Sequence, residues 1–578
     1  MRYKPAITVT KTSDSLANIR WFGWLGWLVP AIDWLIGFRT LDKLYCANAF
    51  ANLDACTFAE RLLILLGIRL SNTQALIQAV PRSGPCLLVA NHPLGAIEGV
   101  ALAHLLSGMR SDVKILANRR LQVFSELHPF FIFTDPLKRA AQGNLSSLRA
   151  CKQHLAGGGL LIVFPAGRVA TQRSTTNELL DYPWHRGIQA LLDTNGVVTL
   201  PVFIDGRNSS LFYRLGRLHP QLRMLSLMRE MLKAKGRTVG FYPAAPIPSE
   251  IPFKKNQQGD EDHRITTLRF LTFMRNPAHG LRHEPAHTVE LMPIAPAIEK
   301  DLLRLEVASL PKHQCLVAAG SIEVYFSTWQ QTPTVVTEIR RLRELVFRDL
   351  DEGSGRPQDG DEFDHSYLHL FLFDCARHQI IGACRLGRTD ELLKNTGTNG
   401  LYLSQMFDFK PGFINRTRPC LEMGRSFIIP DFQRSYYALQ LLFKGIGAFV
   451  GQFPQYQTLY GTVSISQQYS VTSALLIREA LLNKSSLVAA HRELPSAVPA
   501  EMSEYLQRCT PNLLQLDWLV RQLEADGKGL PVLLRHYAKM HATFYAMGID
   551  PNFAGTPGLL LSVDLAALSL RTRQRFLS

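Results

Sequence analysis

The run Cys86-Leu87-Leu88-Val89-Ala90 is wholly apolar and stops at Asn91-His92-Pro93-Leu94-Gly95, a polar turn that carries a histidine. A run this short and this apolar reads as a buried strand, and Pro93 and Gly95 force the chain to turn before the next helix. Similar runs recur at Lys114-Ile115-Leu116, Phe130-Phe131-Ile132-Phe133, Leu160-Leu161-Ile162-Val163, Val197 to Ile204 and Val239 to Tyr242, with amphipathic segments between them. From about Leu76 to Pro248 this alternation predicts an α/β domain with its functional loops at the carboxyl ends of the strands.

The loop after the first run holds His92 and, across the turn, Glu98. An imidazole titrates near neutrality, and a carboxylate can fix its tautomer and stabilise the imidazolium formed when it takes a proton, so the pair reads as a general base and its orienter. Glu98 also suits the first turn of a helix, where a carboxylate meets the helix dipole. Further on, Leu160 to Val163 leads into Phe164-Pro165-Ala166-Gly167-Arg168, a turn with an arginine on it. Arg168, Lys138 and Arg139 are candidate binders of an anionic group, Arg168 foremost because it sits on the turn. The glycines Gly157-Gly158-Gly159 precede a strand, the reverse of a phosphate cradle, and are expected to end a helix.

These motifs, in this order, resemble the glycerolipid acyltransferase family. The family's first motif spaces His and Asp by four residues, where five separate His92 from Glu98, and its third motif has Glu where Ala166 stands. Both departures resemble the branch of haemolysin-like acyltransferases and ornithine lipid synthases. The resemblance implies catalysis by His92 and Glu98, with Asn91, Phe164, Pro165, Gly167 and Arg168 around the substrate.

At 578 residues the chain is expected to hold more than one domain. Its net charge of +15 is uneven: residues 1–300 hold 35 Lys+Arg against 21 Asp+Glu, and the remainder 28 against 27. A basic first half suits an anionic partner such as a phospholipid surface or an acidic carrier protein. No nucleic-acid motif accompanies the charge. The cysteines are scattered with no Cys-x-x-Cys pair, as in reduced, cytosolic proteins without structural zinc. Near the start, Trp21 to Phe38 packs four tryptophans into 18 residues together with Pro30 and Asp33, between Arg20 and Arg39. Indole rings favour the membrane interface, so the stretch reads as a monotopic anchor, followed by a second apolar helix over Phe58 to Ile68. Leu222 to Lys233 reads as a basic amphipathic helix able to touch lipid or to pack its Met/Leu face into a core. Residues from about Ile251 to His287 read as a polar connector. His279, His283 and His287 recur every four residues there, but Pro277, Gly280 and Pro285 exclude the helix a metal face would need.

The second half opens near Leu291. A basic amphipathic helix spans Glu338 to Phe347, an acidic loop follows over Asp359 to Asp364, and paired strands cover Tyr367 to Phe373 and Gln379 to Leu386. Cys420 to Ile429 then reads as a strand in which Glu422 and Arg425 sit among apolar residues, where charges are costly unless paired or used. In sequence with Arg343, Phe347, Asp361, Asp364 and Arg385, this pair resembles the acyl-homoserine lactone synthase branch of GNAT-like N-acyltransferases, and still more the ornithine N-acyltransferases. Leu459 to Ser466 and Leu530 to Tyr537 echo the same family.

The expected architecture is therefore two α/β acyltransferase domains in tandem: membrane-interface helices over 1–70, a glycerolipid acyltransferase-like domain over 71–290, and a GNAT-like mixed sheet with flanking helices over 291–578. Together the halves resemble a bifunctional ornithine lipid synthase. That likeness implies that Glu422 helps deprotonate the α-amine of ornithine for attack on a 3-hydroxyacyl thioester of acyl carrier protein. Arg343, Arg385 and Arg425 would bind its carboxylate or the carrier's phosphopantetheine, and Asp361 and Asp364 would meet a cationic side chain. His92 would then deprotonate the 3-hydroxyl for a second acylation, with backbone amides of Phe164 to Gly167 holding the oxyanion. It implies no cofactor beyond an acyl carrier protein or coenzyme A thioester as co-substrate, and a place at the cytoplasmic face of the inner membrane, monotopic or peripheral. Three readings stay beside it: one catalytic half with a binding half, an acceptor amino acid other than ornithine, and a membrane-interaction protein without catalysis.

Overall fold

A computed structural model describes residues 37–576 except 49, 120, 122–123, 135–140, 173–178, 220–221, 224–225, 253–262, 280–290, 415–417, 434–435, 484–486 and 495–496. Nearly all of the tryptophan-rich stretch, along with Lys138, Arg139, His283 and His287, lies outside the described residues. The chain divides into two compact units, residues 1–280 with 500–509, and residues 281–499 with 510–578.

The first unit is built on a seven-stranded sheet. Its strands are β1 (Arg69–Ser71), β2 (Cys86–Ala90), β3 (Val113–Asn118), β4 (Phe131–Thr134), β5 (Leu160–Val163), β8 (Val198–Asp205) and β9 (Thr238–Pro243), with a two-residue pair β6 (Thr171–Gln172) and β7 (Leu179–Leu180) beside it. The order is β1-β9-β8-β2-β5-β3-β4, parallel throughout except β8 against β9. Every residue of β2 and of β5 is buried, as expected of neighbouring central strands. Gly158, at φ 87°, turns the chain out of the helix Ala141–Ala156 into β5, the role expected of that glycine run. The apolar helix after the tryptophan-rich stretch spans Ala55–Leu65, capped by Asp54, whose carboxylate accepts from Cys56 and Thr57 N–H.

Within the expected amphipathic helix over 222–233, the helix Leu227–Leu232 buries Arg229, Glu230 and Met231 in protein, the packing alternative of that reading. Glu230 holds Ser209 N–H and hydroxyl at 2.7 and 2.6 Å. One reading is corrected: the polar connector contains a buried helix, Arg264–Phe273, and this helix is covered by the helix Ala500–Arg508 from far along the chain. Phe270 stacks on Tyr505 with ring centroids 4.5 Å apart, and Arg269 pairs with Glu504 at 2.9 Å. Among the described residues no helix is long and apolar enough to cross a membrane.

The second unit is an eight-stranded mixed sheet in the order β10-β11-β12-β13-β15-β16-β19-β18. The strands are β10 (Cys315–Ala319), β11 (Ile322–Ser327), β12 (Leu368–Asp374), β13 (Gln379–Arg388), β15 (Leu421–Ile428), β16 (Thr458–Ser464), β18 (Thr543–Asp550) and β19 (Thr556–Asp564), with β14 (Phe407–Phe409) and β17 (Val488–Ala490) paired apart. Neighbours are antiparallel except β15 and β16, which run parallel. Those two touch only from Leu421↔Leu459 to Met423↔Gly461. Beyond that point β15 stays with β13 and β16 with β19, so the sheet splits. A bulge sharpens the split: Gly424 pairs with Arg385 and Phe427 with Ala383, leaving Arg425 and Ser426 opposite Cys384, with Arg425 at φ 54°. The fold is thus two α/β domains with mixed sheets and flanking helices.

Candidate active sites

In the first unit the turn after β2 is fixed from three directions. Asn91, buried, bridges to β8, donating from Nδ2 to Ile204 O at 2.9 Å and accepting Ile204 N–H at 2.6 Å. Asn208 Nδ2 donates to Pro93 O at 3.1 Å, and Ala170 N–H to His92 O at 2.7 Å. The third anchor is Glu98, in the first turn of the helix Ala96–Ser107 and fully buried. Its Oε1 accepts from Leu94 N–H at 3.0 Å, Gly95 N–H at 2.9 Å and His92 Nδ1 at 2.8 Å. The hydrogen bonds to Leu94 and Gly95 require a tight turn, and Gly95 supplies it at φ 104°. With Nδ1 held, Nε2 is the ring nitrogen left to take a proton. The His92 ring stacks on Phe164 at 4.6 Å between centroids. The extra residue between His92 and Glu98 therefore does not part them.

The Phe164–Gly167 turn closes by Gly167 N–H to Phe164 O at 3.0 Å, with Gly167 at φ 61°. Pro165 has no N–H, and its carbonyl accepts from His185 at 3.0 Å. Of the amides proposed to hold an oxyanion, those of Phe164 and Ala166 thus stay as candidates. Arg168 is exposed, its guanidinium 5.5 Å over the Tyr182 ring. One residue the sequence did not single out is Asp181, buried and accepting the Trp184 indole N–H at 2.9 Å.

In the second unit the split between β15 and β16 opens a cleft enclosing about 950 Å³ including its mouth. Glu422 lies where the strands part, 2 % exposed. It accepts the Tyr367 hydroxyl at 2.6 Å and Leu403 N–H at 2.9 Å, and Tyr367 in turn accepts Tyr402 N–H at 2.9 Å. Burial pushes the Glu422 carboxyl up to about 7, against the opposing pull of those hydrogen bonds and of Arg385. A carboxylic acid so placed can exchange a proton at neutral pH.

Glu422 and Arg425, three apart in sequence, are not each other's partners. Arg425 donates to the Tyr402 hydroxyl at 2.9 Å and pairs with Asp359 at 3.2 Å and Asp550 at 3.9 Å. Its guanidinium lies 4.7 Å from the Tyr402 ring and 4.6 Å from that of Phe553. Tyr402 donates to Asp550 at 2.9 Å. Arg385, Arg425, Phe347 and Asp550 all line the cleft.

Arg343 does not. It is wholly enclosed, gripping Asp364 in a bidentate pair at 2.9 Å for each bond, and its Nε donates to Asp359 O at 3.2 Å. This corrects the expectation that Arg343 binds a substrate carboxylate. Asp364, fully buried and held also by Arg340 and Arg385, is likewise not open to a cationic side chain. Asp361 keeps partial exposure, with Arg385 as its ion-pair partner. The acidic loop is a counter-ion shell for buried arginines, and among the described residues no cluster of ligating side chains fits a metal.

Known proteins place both units in one chemical class. Residues 29–241 match the family described as acyltransferase, and residues 342–443 the family described as acetyltransferase (GNAT) domain. The chain is 31 % identical over 288 residues to a glycine N(alpha)-acyltransferase of Bacteroides thetaiotaomicron, covering 46 % of this chain and 85 % of that protein. It is 29 % identical over 180 residues to a lyso-glycine lipid O-acyltransferase of Phocaeicola vulgatus, covering 30 % of this chain and 62 % of that protein. Among solved structures, the 1-acyl-sn-glycerophosphate acyltransferase of Thermotoga maritima aligns at 17 % identity over 43 % of this chain and 90 % of its own, with a TM-score of 0.23. A coenzyme A-dependent acyl-homoserine lactone synthase aligns at 12 % over 43 % and 85 %, with a TM-score of 0.22.

The chain is an acyltransferase with two acyltransferase domains. It belongs to the family of the Bacteroides thetaiotaomicron glycine N(alpha)-acyltransferase.

Proposed function

We propose that this chain makes a doubly acylated amino acid lipid in two steps. In the second unit an α-amino acid enters the cleft, and Glu422 takes the proton its amine sheds on attacking a 3-hydroxyacyl thioester. The C–N bond forms, the C–S bond breaks, and a lyso-lipid with a free 3-hydroxyl leaves. The unpaired main-chain edges of β15 and β16 beyond Met423 and Gly461 suit the extended amide arm of a carrier thioester. Arg385 and Arg425, both on the cleft wall, suit the acceptor carboxylate. In the first unit His92, its tautomer set by Glu98, removes the proton of that 3-hydroxyl for attack on a second thioester, and the N–H of Phe164 or Ala166 faces the developing oxyanion.

The observation that carries this reading is Glu422: a buried carboxyl tuned to about 7 at the parting of two parallel strands. Acyl carrier protein is the proposed donor and the cytoplasmic face of the inner membrane the proposed location. The basic first half and the tryptophan-rich stretch support a lipid surface, where an intermediate that already carries a fatty chain would reside. The sequence resemblance favours ornithine as acceptor, whereas the names of the relatives favour glycine for those proteins.

Lipid extracts from a host without aminolipids, expressing the intact chain, His92→Ala or Glu422→Ala, test the scheme by mass spectrometry. The intact chain is expected to yield the diacylated lipid, His92→Ala only the lyso form, and Glu422→Ala neither. The product mass distinguishes ornithine from glycine. Absence of any aminolipid with the intact chain would overturn the reading.

A further inference from the structure

The helix Ser210–Leu218 carries apolar side chains on two faces. Its inner face buries Phe212 and Tyr213 in a cluster with Val169. Its outer face runs Leu211, Arg214, Leu215 and Leu218, the i, i+3, i+4, i+7 spacing of one helical stripe. A surface helix ordinarily turns polar residues to water, yet Leu211 is 42 % exposed and Leu218 76 %. Leu222, past the end of the helix, is exposed as well. Among the described residues of the first unit the exposed large apolar side chains are Ile64, Leu145, Leu211, Leu218 and Leu222, so three of the five fall within this one short stretch. Apolar residues gathered in this way on the surface of a folded domain mark a contact.

The charge of the same stretch selects the partner. Between Asp205 and Glu230 the sequence has Arg207, Arg214, Arg217, Arg223 and Arg229, and no Asp or Glu. Arg223 and Arg229 are buried, whereas Arg214 and Arg217 are exposed beside the leucines. Arg217 Nη2 donates to Gln172 Oε1 at 3.4 Å, and among the described residues no carboxylate pairs with Arg214 or Arg217. Leucines flanked by arginines without counter-ions match a lipid interface, where the apolar side chains enter the acyl boundary and the guanidinium groups meet anionic headgroups. An acidic carrier protein answers the arginines, whereas the leucine stripe suits acyl chains.

The helix is also fastened to the His92 turn. Asn208, just ahead of it, donates from Nδ2 to Pro93 O at 3.1 Å and to Leu94 O at 3.4 Å, and the Tyr213 hydroxyl accepts Asn208 N–H at 3.1 Å. Ser209 caps the helix by accepting Phe212 N–H at 3.3 Å. The exposed stripe is therefore rigidly tied to the loop that carries His92.

We propose that the outer face of the helix Ser210–Leu218, continued by Leu222, seats the first unit on an anionic lipid surface, with the leucines in the acyl boundary and Arg214 and Arg217 on the headgroups. The lyso-lipid then reaches His92 without leaving the leaflet, a consequence that rests on the assignment of His92 as the O-acylation base.

The test uses the purified full-length chain with vesicles of phosphatidylcholine, with or without an equal share of phosphatidylglycerol, read by co-sedimentation. The same vesicles carry a long-chain N-(3-hydroxyacyl) amino acid for O-acylation from an acyl carrier protein thioester, and a short-chain, water-soluble analogue is assayed beside it. Glutamine keeps the helix propensity of leucine, so Leu211→Gln with Leu218→Gln should leave the fold intact. That pair is expected to weaken binding to anionic vesicles about tenfold and to slow O-acylation there in step, with acylation of the soluble analogue unchanged. Arg214→Gln with Arg217→Gln should lose about tenfold in binding on anionic vesicles and little on phosphatidylcholine alone. Vesicle binding and vesicle-borne acylation equal to those of the intact chain in both paired variants would overturn the proposal. If the arginine variant instead raises KM for the carrier thioester with the soluble analogue and leaves vesicle binding unmoved, the face docks the carrier and the lipid proposal fails. His92→Ala should bind vesicles normally and acylate neither substrate. Retained O-acylation in that variant would refute the assignment of His92, while the vesicle binding of the paired variants still decides the lipid surface.

Discussion

Tyr367 donates its hydroxyl to Glu422 across 2.6 Å inside the protein, from the start of one strand to the parting point of another. The tyrosine is itself held by Tyr402 N–H, so the carboxylate is aimed while burial keeps its proton available near neutrality. The N-acylation rate should climb through about pH 7 as Glu422 ionises, and Glu422→Gln should cost roughly 10²- to 10⁴-fold in kcat, the range for loss of a general base. Steady-state assay of lyso-lipid formation between pH 5.5 and 9 measures both. A Glu422→Gln variant at near-normal rate excludes Glu422 as the base.

The same carboxyl affects stability with the opposite sign from an ordinary ion-paired acid. Its folded-state pKa, raised to about 7, lies above that of the unfolded chain. Folding therefore binds a proton between the two values, and stability falls as pH rises through that window. Glu422→Gln removes the penalty. The variant is expected to gain nothing below about pH 4.5 and roughly 2–3 kcal/mol at pH 8, less any strain at Tyr367. Urea unfolding at pH 5 and pH 8 checks the difference, and equal effects at the two pH values contradict it.

Arg343 and Asp364 make the contrary case. Burial works against ionisation of Asp364, but the Arg343 and Arg385 cations more than offset it and hold the carboxyl well below the usual range. Its contribution to stability is present above the ordinary carboxylate pKa near 4 and is lost as pH falls towards its folded value. Asp364→Asn leaves Arg343 enclosed with a neutral partner and should cost about 3–5 kcal/mol. The loss belongs to unfolding of the second unit, so denaturation followed at neutral pH should show it. A change below about 1 kcal/mol would mean that water reaches Arg343.

What the sequence made legible was local. Cys86 to Ala90 announces a buried strand because both of its faces and both of its edges are covered. His92 and Glu98 meet within a single turn, so seven residues carry the whole geometry. Glu422 stands out because a charge in an apolar strand demands a reason. The rest depends on distant chain. Tyr367 reaches Glu422 over 55 residues, and the helix Arg264–Phe273 is buried by a helix more than 200 residues later, so its neighbourhood reads as a polar connector. The acidic loop after residue 358 resembles a solvated surface until Arg340, Arg343, Arg385 and Arg425 are brought onto it by other elements. Asp181 sits in no recurring spacing, and only the fold buries it.

Gly461 gives a final test of the split sheet. It pairs with Met423 in the last rung that joins β15 to β16, and a Cβ there would lie 2.6 Å from Met423 O, a main-chain atom with little freedom to yield. Gly461→Ala must therefore push the strands apart at the rung next to Glu422. Overpacking of this kind costs typically 1–3 kcal/mol, and a shift of even 1 Å at a reacting group can cost about a hundredfold in rate. The variant should fold with a modestly lowered Tm and lose N-acylation far out of proportion, while O-acylation of supplied lyso-lipid by the same preparation persists. Equal loss of both activities would point to general unfolding, and intact N-acylation would show that the rung next to Glu422 does not set the geometry of attack.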